Sequence, residues 1–245
     1  MDKLQLIQYL ANNTSSQKPA ITTIARDLGV LPDTVAILKD EINSDGVFNI
    51  KSGKGGGLTL EGGIGKEIGV YPHVLQYAKK WVSDSIYGMH GVTGQILNET
   101  HKKKLRGKWS NPDFSLLNVH KFLHAPNKVI DVVSIEVKHA TTQFDVSCVY
   151  EALAHTRASN YSVLFICDDP TNNISARGEL DTLEEVKIEC VRLGIGLVVS
   201  EYPCDINYWK YIIPAKEHKP DLRRVDAFIE DAFGPDDKNW LKQAL

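Results

Sequence analysis

The chain of 245 residues has few cysteines, no surplus of positive charge and no long hydrophobic run. Its four cysteines form no Cys-x-x-Cys pair and lie in apolar or strand-like settings, so we expect neither a disulfide framework nor a zinc site. The formal net charge of −3 gives no overall attraction to nucleic acid, and any such binding must come from local basic patches. No stretch approaches the ~18 apolar residues of a membrane span, and the sequence starts with an amphipathic helical pattern. We therefore expect a cytoplasmic protein without a membrane partner.

A loop that binds nucleoside triphosphates is missing as well. Gly65-Lys66 lies in a glycine-rich stretch, but Leu60 stands where that motif needs its first glycine. Glu67 replaces the Ser or Thr that would bind magnesium there. We therefore expect no nucleotide triphosphate as a partner, and the glycines are better explained as a hairpin tip and a flexible linker.

The first 61 residues have the pattern of a small separate domain. Apolar residues at helical spacing predict three short helices, the first followed by a loop that ends at Pro19 and the second ended by Gly29. Pro32 starts the third helix, and a strand pair with a glycine-rich tip follows over residues 47–60. Three helices and a glycine-tipped hairpin resemble a winged helix-turn-helix domain. Residues 62–245 would then form the second domain.

A winged helix commonly places its third helix in the DNA major groove and its wing against phosphates. Lys51 and Lys54 would supply the contacts of the wing. The charged residues of the third helix are Asp33, Lys39, Asp40 and Glu41. This acidic helix is a poor surface for a polyanion, because each carboxylate is repelled where cations should displace counterions. Two roles therefore stay open: contact with DNA, or dimerisation and support of the second domain.

Two apolar runs on either side of a polar connection predict a long antiparallel hairpin over residues 114–137. Side chains alternate along a strand, so Glu136 and Lys138 share one face while Ile135 and Val137 point into the protein. If Asp113 opens a preceding antiparallel strand, it lies beside them. Two carboxylates suit a divalent metal ion and an ammonium suits a phosphate, which is an arrangement for phosphodiester hydrolysis. The alternative for the acid and lysine alone is a solvated cross-strand pair.

Pro112-Asp113 followed by Glu136-Val137-Lys138 resembles the PD-(D/E)XK nuclease superfamily, whose fold is restriction-endonuclease-like. The resemblance implies an α/β/α domain with a mixed central sheet, and a DNA endonuclease of restriction or defence. It also implies that Asp113, Glu136 and the Val137 carbonyl hold Mg²⁺ or Mn²⁺. Lys138 would orient the attacking water or offset charge on the phosphoryl oxygens.

Nucleases of this superfamily often carry a further metal-binding acid on the helix before the sheet. Glu67 is the first candidate, because Glu67-x-x-x-Tyr71-Pro72 resembles the start of that helix in winged-helix-linked members. Glu99 is the second candidate, nearer in sequence to Asp113. The alternative for Glu67 is an ordinary acid in a first helical turn, where the helix dipole favours it. The apolar face predicted for this helix consists of Val74, Leu75, Ala78 and Val82.

The most basic segment of the chain, residues 101–108, directly precedes the Pro112-Asp113 corner. Its cations are Lys102, Lys103, Lys104, Arg106 and Lys108. A basic loop beside metal-binding acids would hold the nucleic-acid backbone while the metal acts on the scissile phosphate. The alternative is a solvated charged loop.

After Lys138 the sequence alternates between helical apolar spacing and short buried apolar runs, which predicts further helices and strands of an α/β fold. We expect helices over 144–157, 182–193 and 222–233 and strands over 161–167 and 195–200. The first of these helices would run beside the active face. Its secondary candidates for positioning or phosphate contact are Tyr150, Glu151, His155 and Arg157, each of which is more typical of helix surface and packing.

Two rival functions stay open beside the nuclease. One is a winged-helix DNA-binding regulator whose nuclease-like domain does not cut, and the other is an interaction or dimerisation protein. For the nuclease we expect DNA as the partner, with RNA left open. We also expect a homodimer, because cutting both strands ordinarily needs two active sites.

Overall fold

The computed structural model describes residues 1–13, 18–53, 55–88, 92–103, 111–122, 124, 128–141, 144–171 and 173–245. Within these ranges the chain is a mixed α/β protein with eight α-helices, a two-stranded antiparallel sheet and a six-stranded mixed sheet. Lys54, Lys104, Arg106 and Lys108, predicted to contact nucleic acid, lie outside the described residues. In the part of the chain that is described, no helix is both long and apolar enough to cross a membrane.

The N-terminal elements agree with the prediction of three helices and a hairpin. These are α1 (Lys3–Asn12), α2 (Ile21–Asp27), α3 (Pro32–Asp45), β1 (Phe48–Ser52) and β2 (Leu58–Gly62). The Asp2 carboxylate accepts from the Gln5 backbone N–H and so caps α1. Gly46, with a left-handed φ of 76°, ends α3. The inward side chains form one core, which includes Leu6, Ile7, Ile24, Val35, Ile42, Phe48 and Ile50.

This N-terminal core is completed by residues from the far end of the chain. Tyr202 is fully buried in it, and its ring stacks on Phe48 with centroids 6.1 Å apart. The Tyr202 hydroxyl donates to the carboxylate of Asp45, which also binds Lys3 at 3.0 Å. The first 61 residues therefore share a core with the second part of the chain. The division at residue 62 follows the end of β2 but stays a prediction as a domain boundary.

The large sheet follows α4 (Glu67–Ser85). Its order is β3-β4-β5-β6-β7-β8, with β5, β6 and β7 parallel and the other neighbours antiparallel. The strands are β3 (Val92–Glu99), β4 (Phe114–Lys121), β5 (Lys128–His139), β6 (Tyr161–Cys167), β7 (Gly196–Ser200) and β8 (Lys210–Ile213). The remaining helices are α5 (Ser147–His155), α6 (Leu180–Leu193), α7 (Leu222–Ala232) and α8 (Pro235–Ala244).

Helices cover both faces of this sheet. On one face α4 packs against the core that contains Ile135 and Val137, as predicted for these two residues. On the other face α5 and α6 cover β6 and β7, while α7 and α8 cover Leu117 and Val132 of β4 and β5. Because both faces are covered, Glu136 and Lys138 are buried at 6% and 5% exposure, which rules out the solvated cross-strand pair.

The predicted long hairpin is confirmed as β4 and β5, and the strand over 161–167 is confirmed as β6. The helix expected over 144–157 is shorter, because α5 spans Ser147–His155. Leu75 was wrongly assigned to the buried face of α4, since it is 42% exposed while Val74 and Ala78 are buried. Three elements were not predicted from the sequence, because each lacks a strong hydrophobic period: the polar edge strands β3 and β8 and the charged helix α8.

The contact between Tyr202 and Asp45 predicts a measurable link between the two parts of the chain. Tyr202→Phe keeps the stacked ring but leaves the half-buried carboxylate of Asp45 without one of its donors. We expect the free energy of unfolding to fall by about 1 to 2 kcal/mol in urea denaturation. Tyr150→Phe is the matched control, because its exposed hydroxyl meets Glu189 at 3.3 Å and its loss should change stability by under about 0.5 kcal/mol. Equal stability of Tyr202→Phe and the wild type would contradict the link.

Candidate active site

The ends of β4 and β5 bring the predicted acids and lysine together. Phe114 pairs with Ile135, so the antiparallel register continues to place Asp113 opposite Glu136. Lys138 follows on the same face of β5, two residues further on. All three side chains are almost completely buried, with Asp113 6% exposed. The sequence prediction that these three residues meet at neighbouring strands agrees with this geometry.

Asp113 is held by hydrogen bonds from two directions. Its Oδ2 accepts from the backbone N–H of Val137 at 2.7 Å, and its Oδ1 accepts from the hydroxyl of Tyr71 on α4. The Tyr71 ring lies against the rings of His101 and Phe114. The same hydroxyl also contacts Glu67 Oε1 at 2.9 Å, one helical turn earlier on α4. A single phenol therefore bridges two carboxyl groups.

Lys138 lies among three carboxylates from three different elements. Its Nζ is 2.5 Å from Glu136 Oε1 on β5 and 2.9 Å from Glu151 Oε2 on α5. The carboxylate of Glu67, at the start of α4, is 3.8 Å away. Only Glu136 shares a strand with the lysine, so the cluster depends on how α4 and α5 pack at this end of the sheet.

His155 fixes the second oxygen of Glu136. Its Nε2 lies 2.9 Å from Glu136 Oε2, and because an ionised carboxylate only accepts, Nε2 is the donor. The ring is 5% exposed, and its Nδ1 has no hydrogen-bond partner among the described residues. Glu151 and His155 are one turn apart on α5, which places both over the same part of β5.

Burial and crowding of acids shift the protonation of Asp113 and Glu67. Burial raises the pKa of Asp113 to about 8, and the nearby Glu136 carboxylate contributes to the increase. Burial also raises the pKa of Glu67, against the opposing effects of Lys138 and Tyr71. The ionised form of Asp113 is therefore costly in the absence of a bound cation.

Burial acts against the charges of Glu136 and Lys138 as well, but their partners outweigh it. The hydrogen bond from His155 and the charge of Lys138 lower the pKa of Glu136. The carboxylates of Glu136 and Glu151 raise the pKa of Lys138. In the metal-free protein Lys138 is therefore an ammonium ion at neutral pH.

Of the two candidates for the additional acid, the structure brings Glu67 into the cluster and leaves Glu99 outside it. Glu99 ends β3, pairs with Phe114 and directs its carboxylate to Lys102. Glu151 and His155 had been secondary candidates, and Tyr71 had been noted only as part of the Glu67 motif. The sequence feature that could have identified Tyr71, Glu151 and His155 is the spacing of four residues, which places Glu67 with Tyr71 and Glu151 with His155 on one face of a helix.

The remaining candidates for nucleic-acid contact and positioning are distributed around the cluster. Lys51 pairs with Glu61 at 2.5 Å across the β1–β2 hairpin, far in sequence from the cluster. Lys102 and Lys103 lie on a turn whose Thr100 N–H donates to the Asp113 carbonyl at 2.9 Å. The Asp113 backbone therefore joins the start of the basic segment to the site. Two secondary candidates, Tyr150 and Arg157, are exposed.

The residues present fit a hard divalent cation by their chemistry. Carboxylate oxygens of Asp113, Glu136 and Glu67 are suitable ligands. The N–H and C=O of a strand residue point to the same neighbour, so the Val137 carbonyl faces the side of Asp113 as its N–H does. Within the described residues, however, no group of three or more His, Cys, Asp or Glu is arranged around a metal position. The ammonium group of Lys138 lies among the carboxylates, which explains why they are not arranged around a metal position.

The raised pKa of Asp113 predicts that its carboxyl group destabilises the metal-free fold as the pH rises. Below pH 3.8, its ordinary pKa, both folded and unfolded chains hold the proton. Between that value and about 8, only the folded chain holds it, so stability falls across this window and the full cost is present above it. Asp113→Asn removes this cost. At about 1.4 kcal/mol for each pKa unit, we expect a gain of up to about 5 kcal/mol in unfolding free energy at pH 8, which shrinks toward pH 4.

The measurement is urea unfolding in EDTA at several pH values. Asp226→Asn is the matched control, because Asp226 is exposed on α7 and the same substitution there should change stability by under about 0.5 kcal/mol. If the Asp113→Asn variant is less stable than the wild type at pH 8, the ionised carboxylate supports the fold and the prediction is wrong.

The chain has no detectable similarity to known proteins in three comparisons. No protein-family model, no curated protein and no solved structure matches it. The resemblance to the PD-(D/E)XK superfamily therefore depends on Asp113, Glu136 and Lys138 and on the positions that the fold gives them. What this cluster does must be argued from its chemistry.

Proposed function

We propose that the protein is a metal-dependent endonuclease that hydrolyses DNA phosphodiester bonds, in restriction or defence, with an active site of the PD-(D/E)XK type. The observation that carries this proposal is the convergence of Asp113, Glu136 and Lys138 at the adjoining ends of two antiparallel strands. The mixed sheet with helices on both faces is compatible with a restriction-endonuclease-like domain over residues 62–245. Such a domain would cleave DNA as a homodimer, with one active site for each strand.

The first 61 residues are proposed to be a winged helix-turn-helix domain. Support comes from the order of three helices and a hairpin around one core. The outer surface of α3 carries Asp33, Asp40 and Glu41, all exposed, so this helix is poorly suited to a DNA groove. We assign the domain mainly to support of the second domain, since the burial of Tyr202 joins the two.

Four groups would hold the metal: the carboxylates of Asp113, Glu136 and Glu67 and the carbonyl of Val137. A bound Mg²⁺ or Mn²⁺ would supply an activated water and a Lewis acid for the phosphoryl oxygens. The neighbouring carboxylates raise the pKa of Lys138, so its side chain is an ammonium ion in the metal-free protein. Its role in this proposal is to stabilise negative charge on the phosphoryl oxygens and to orient the attacking water.

The start of the basic segment lies where a DNA backbone would approach this cluster. Thr100 and His101 donate backbone N–H groups to the carbonyl of Asp113, at 2.9 and 3.2 Å. Lys102 and Lys103 follow directly along the chain. Their ammonium groups would hold phosphates on either side of the scissile bond, a sequence-independent contact that weakens as salt concentration rises.

One observation favours a second candidate, a winged-helix DNA-binding regulator that does not cut. The protein's own groups already occupy the carboxylates: Lys138 on Glu136, and the Tyr71 hydroxyl on Asp113. A cluster closed in this way is also what a structural ion network would require. The two functions differ in one outcome, which is whether DNA strands are broken when a divalent cation is present.

We expect purified protein to nick or linearise plasmid DNA with Mg²⁺ or Mn²⁺ and to lose this activity in EDTA. Asp113→Asn should lower the cleavage rate by at least about a hundredfold, because it removes a charged ligand from the site. The measurement is the initial rate of supercoiled plasmid loss on agarose gels, with single-stranded DNA and RNA as parallel substrates.

Asp113→Asn is preferred to Lys138→Ala as the test variant, because loss of Lys138 leaves the buried carboxylate of Glu136 and the half-buried one of Glu151 without their cation and costs stability. Asp226→Asn serves again as the control and should cut at the wild-type rate. DNA binding without cleavage in any divalent cation would favour the regulator, and cleavage by the Asp113→Asn variant at the wild-type rate would refute the site.

A further inference from the structure

Among the partners that the described residues give Lys138, Glu151 alone does not belong to the proposed metal ligands. Lys138 contacts Glu136 at 2.5 Å and Glu67 at 3.8 Å, and both carboxylates would be needed by a divalent cation. The contact with Glu151, at 2.9 Å, comes from α5 and involves none of the atoms assigned to the metal. The ammonium and the cation therefore compete for two carboxylates and leave the third to Lys138 alone.

This competition has a cost that the rest of the site must offset. Lys138 is buried at 5% exposure, and a buried ammonium that loses its anionic partners is strongly destabilised. His155 holds the other carboxylate oxygen of Glu136, Oε2. This hydrogen bond restricts how far the Glu136 carboxylate can move with the ammonium group of Lys138. A buried lysine beside an incoming cation thus needs an anion that stays in place.

We propose that Glu151 is a positioning residue that retains Lys138 when a divalent cation draws Glu136 and Glu67 away from it. This inference rests on the proposed metal-dependent function. Glu151 acts through Lys138 in this arrangement and does not touch the metal. It keeps the ammonium charged, buried and within reach of the phosphoryl oxygens while the carboxylates change partners.

The proposal predicts coupling between residues 151 and 138 in metal binding. Glu151→Gln should weaken Mn²⁺ binding by about tenfold, because Lys138 then remains on Glu136 and Glu67. Lys138→Met should tighten it, since the competing cation is gone. In the Lys138→Met background, Glu151→Gln should weaken binding clearly less than it does when Lys138 is present.

The measurement is a Mn²⁺ titration followed by the electron paramagnetic resonance signal of the free ion, with Mg²⁺ as competitor. Glu185→Gln is the matched control, because Glu185 is an exposed acid on α6 and the variant makes the same change in net charge. Glu151→Asp retains the charge and should recover part of the affinity. Circular dichroism establishes that each variant is folded.

Each outcome separates the explanations. An equal or larger loss of affinity in the Lys138→Met background would show that Glu151 binds the metal itself or acts through bulk charge, and would overturn the proposal. If the wild type binds neither Mn²⁺ nor Mg²⁺, the metal-dependent function fails and the inference fails with it. Binding without coupling overturns only the inference.

A second measurement avoids variants of Lys138, which could fail to fold. The side-chain ammonium of a lysine held in a buried ion pair exchanges slowly enough to give a nitrogen-15 NMR signal. With saturating Mg²⁺, this signal from Lys138 should persist in the wild type and disappear in Glu151→Gln. A persistent signal in Glu151→Gln would mean that the cation-bound site retains Lys138 without Glu151.

Discussion

The packing of several buried or half-buried carboxyl groups around one buried ammonium ion is the constraint on which the site depends. Glu136, Glu151 and Glu67 all lie within 3.8 Å of the Lys138 Nζ. Asp113 is adjacent, and burial together with the charge of Glu136 raises its pKa. Ionised groups leave water only when they are paired and hydrogen-bonded. The backbone N–H of Val137, for example, is directed at Asp113 rather than at a neighbouring strand.

Two simple periodicities assemble this network from distant parts of the chain. The period of two along β5 places Glu136 and Lys138 on one face, and the antiparallel register adds Asp113. The spacing of four residues along α5 places Glu151 and His155 on that face as well. None of these rules is specific to an enzyme. The site arises because both periodicities place polar side chains at the same end of β5.

The sequence allowed the prediction of what such local rules determine. The β-branched hairpin, the positions of Asp113, Glu136 and Lys138 and the three N-terminal helices followed from periodicity and turn residues. The polar edge strand β3 did not, because only its pairing with β4 makes it a strand. The packing of Tyr202 into the N-terminal core was equally invisible, since it joins residues more than a hundred positions apart.

Stability does not account for the composition of the cluster. Replacing a buried ion network by apolar side chains of similar volume is often neutral or stabilising, so the fold itself gains little from keeping these charges. The ionised form of Asp113 is a cost to the metal-free protein, because burial and Glu136 raise its pKa to about 8. Groups that destabilise a fold are typical of sites whose ligand compensates them. A divalent cation would relieve both the crowding of Glu136 with Asp113 and the cost of ionising Asp113, which is why this cluster supports the nuclease over a structural network.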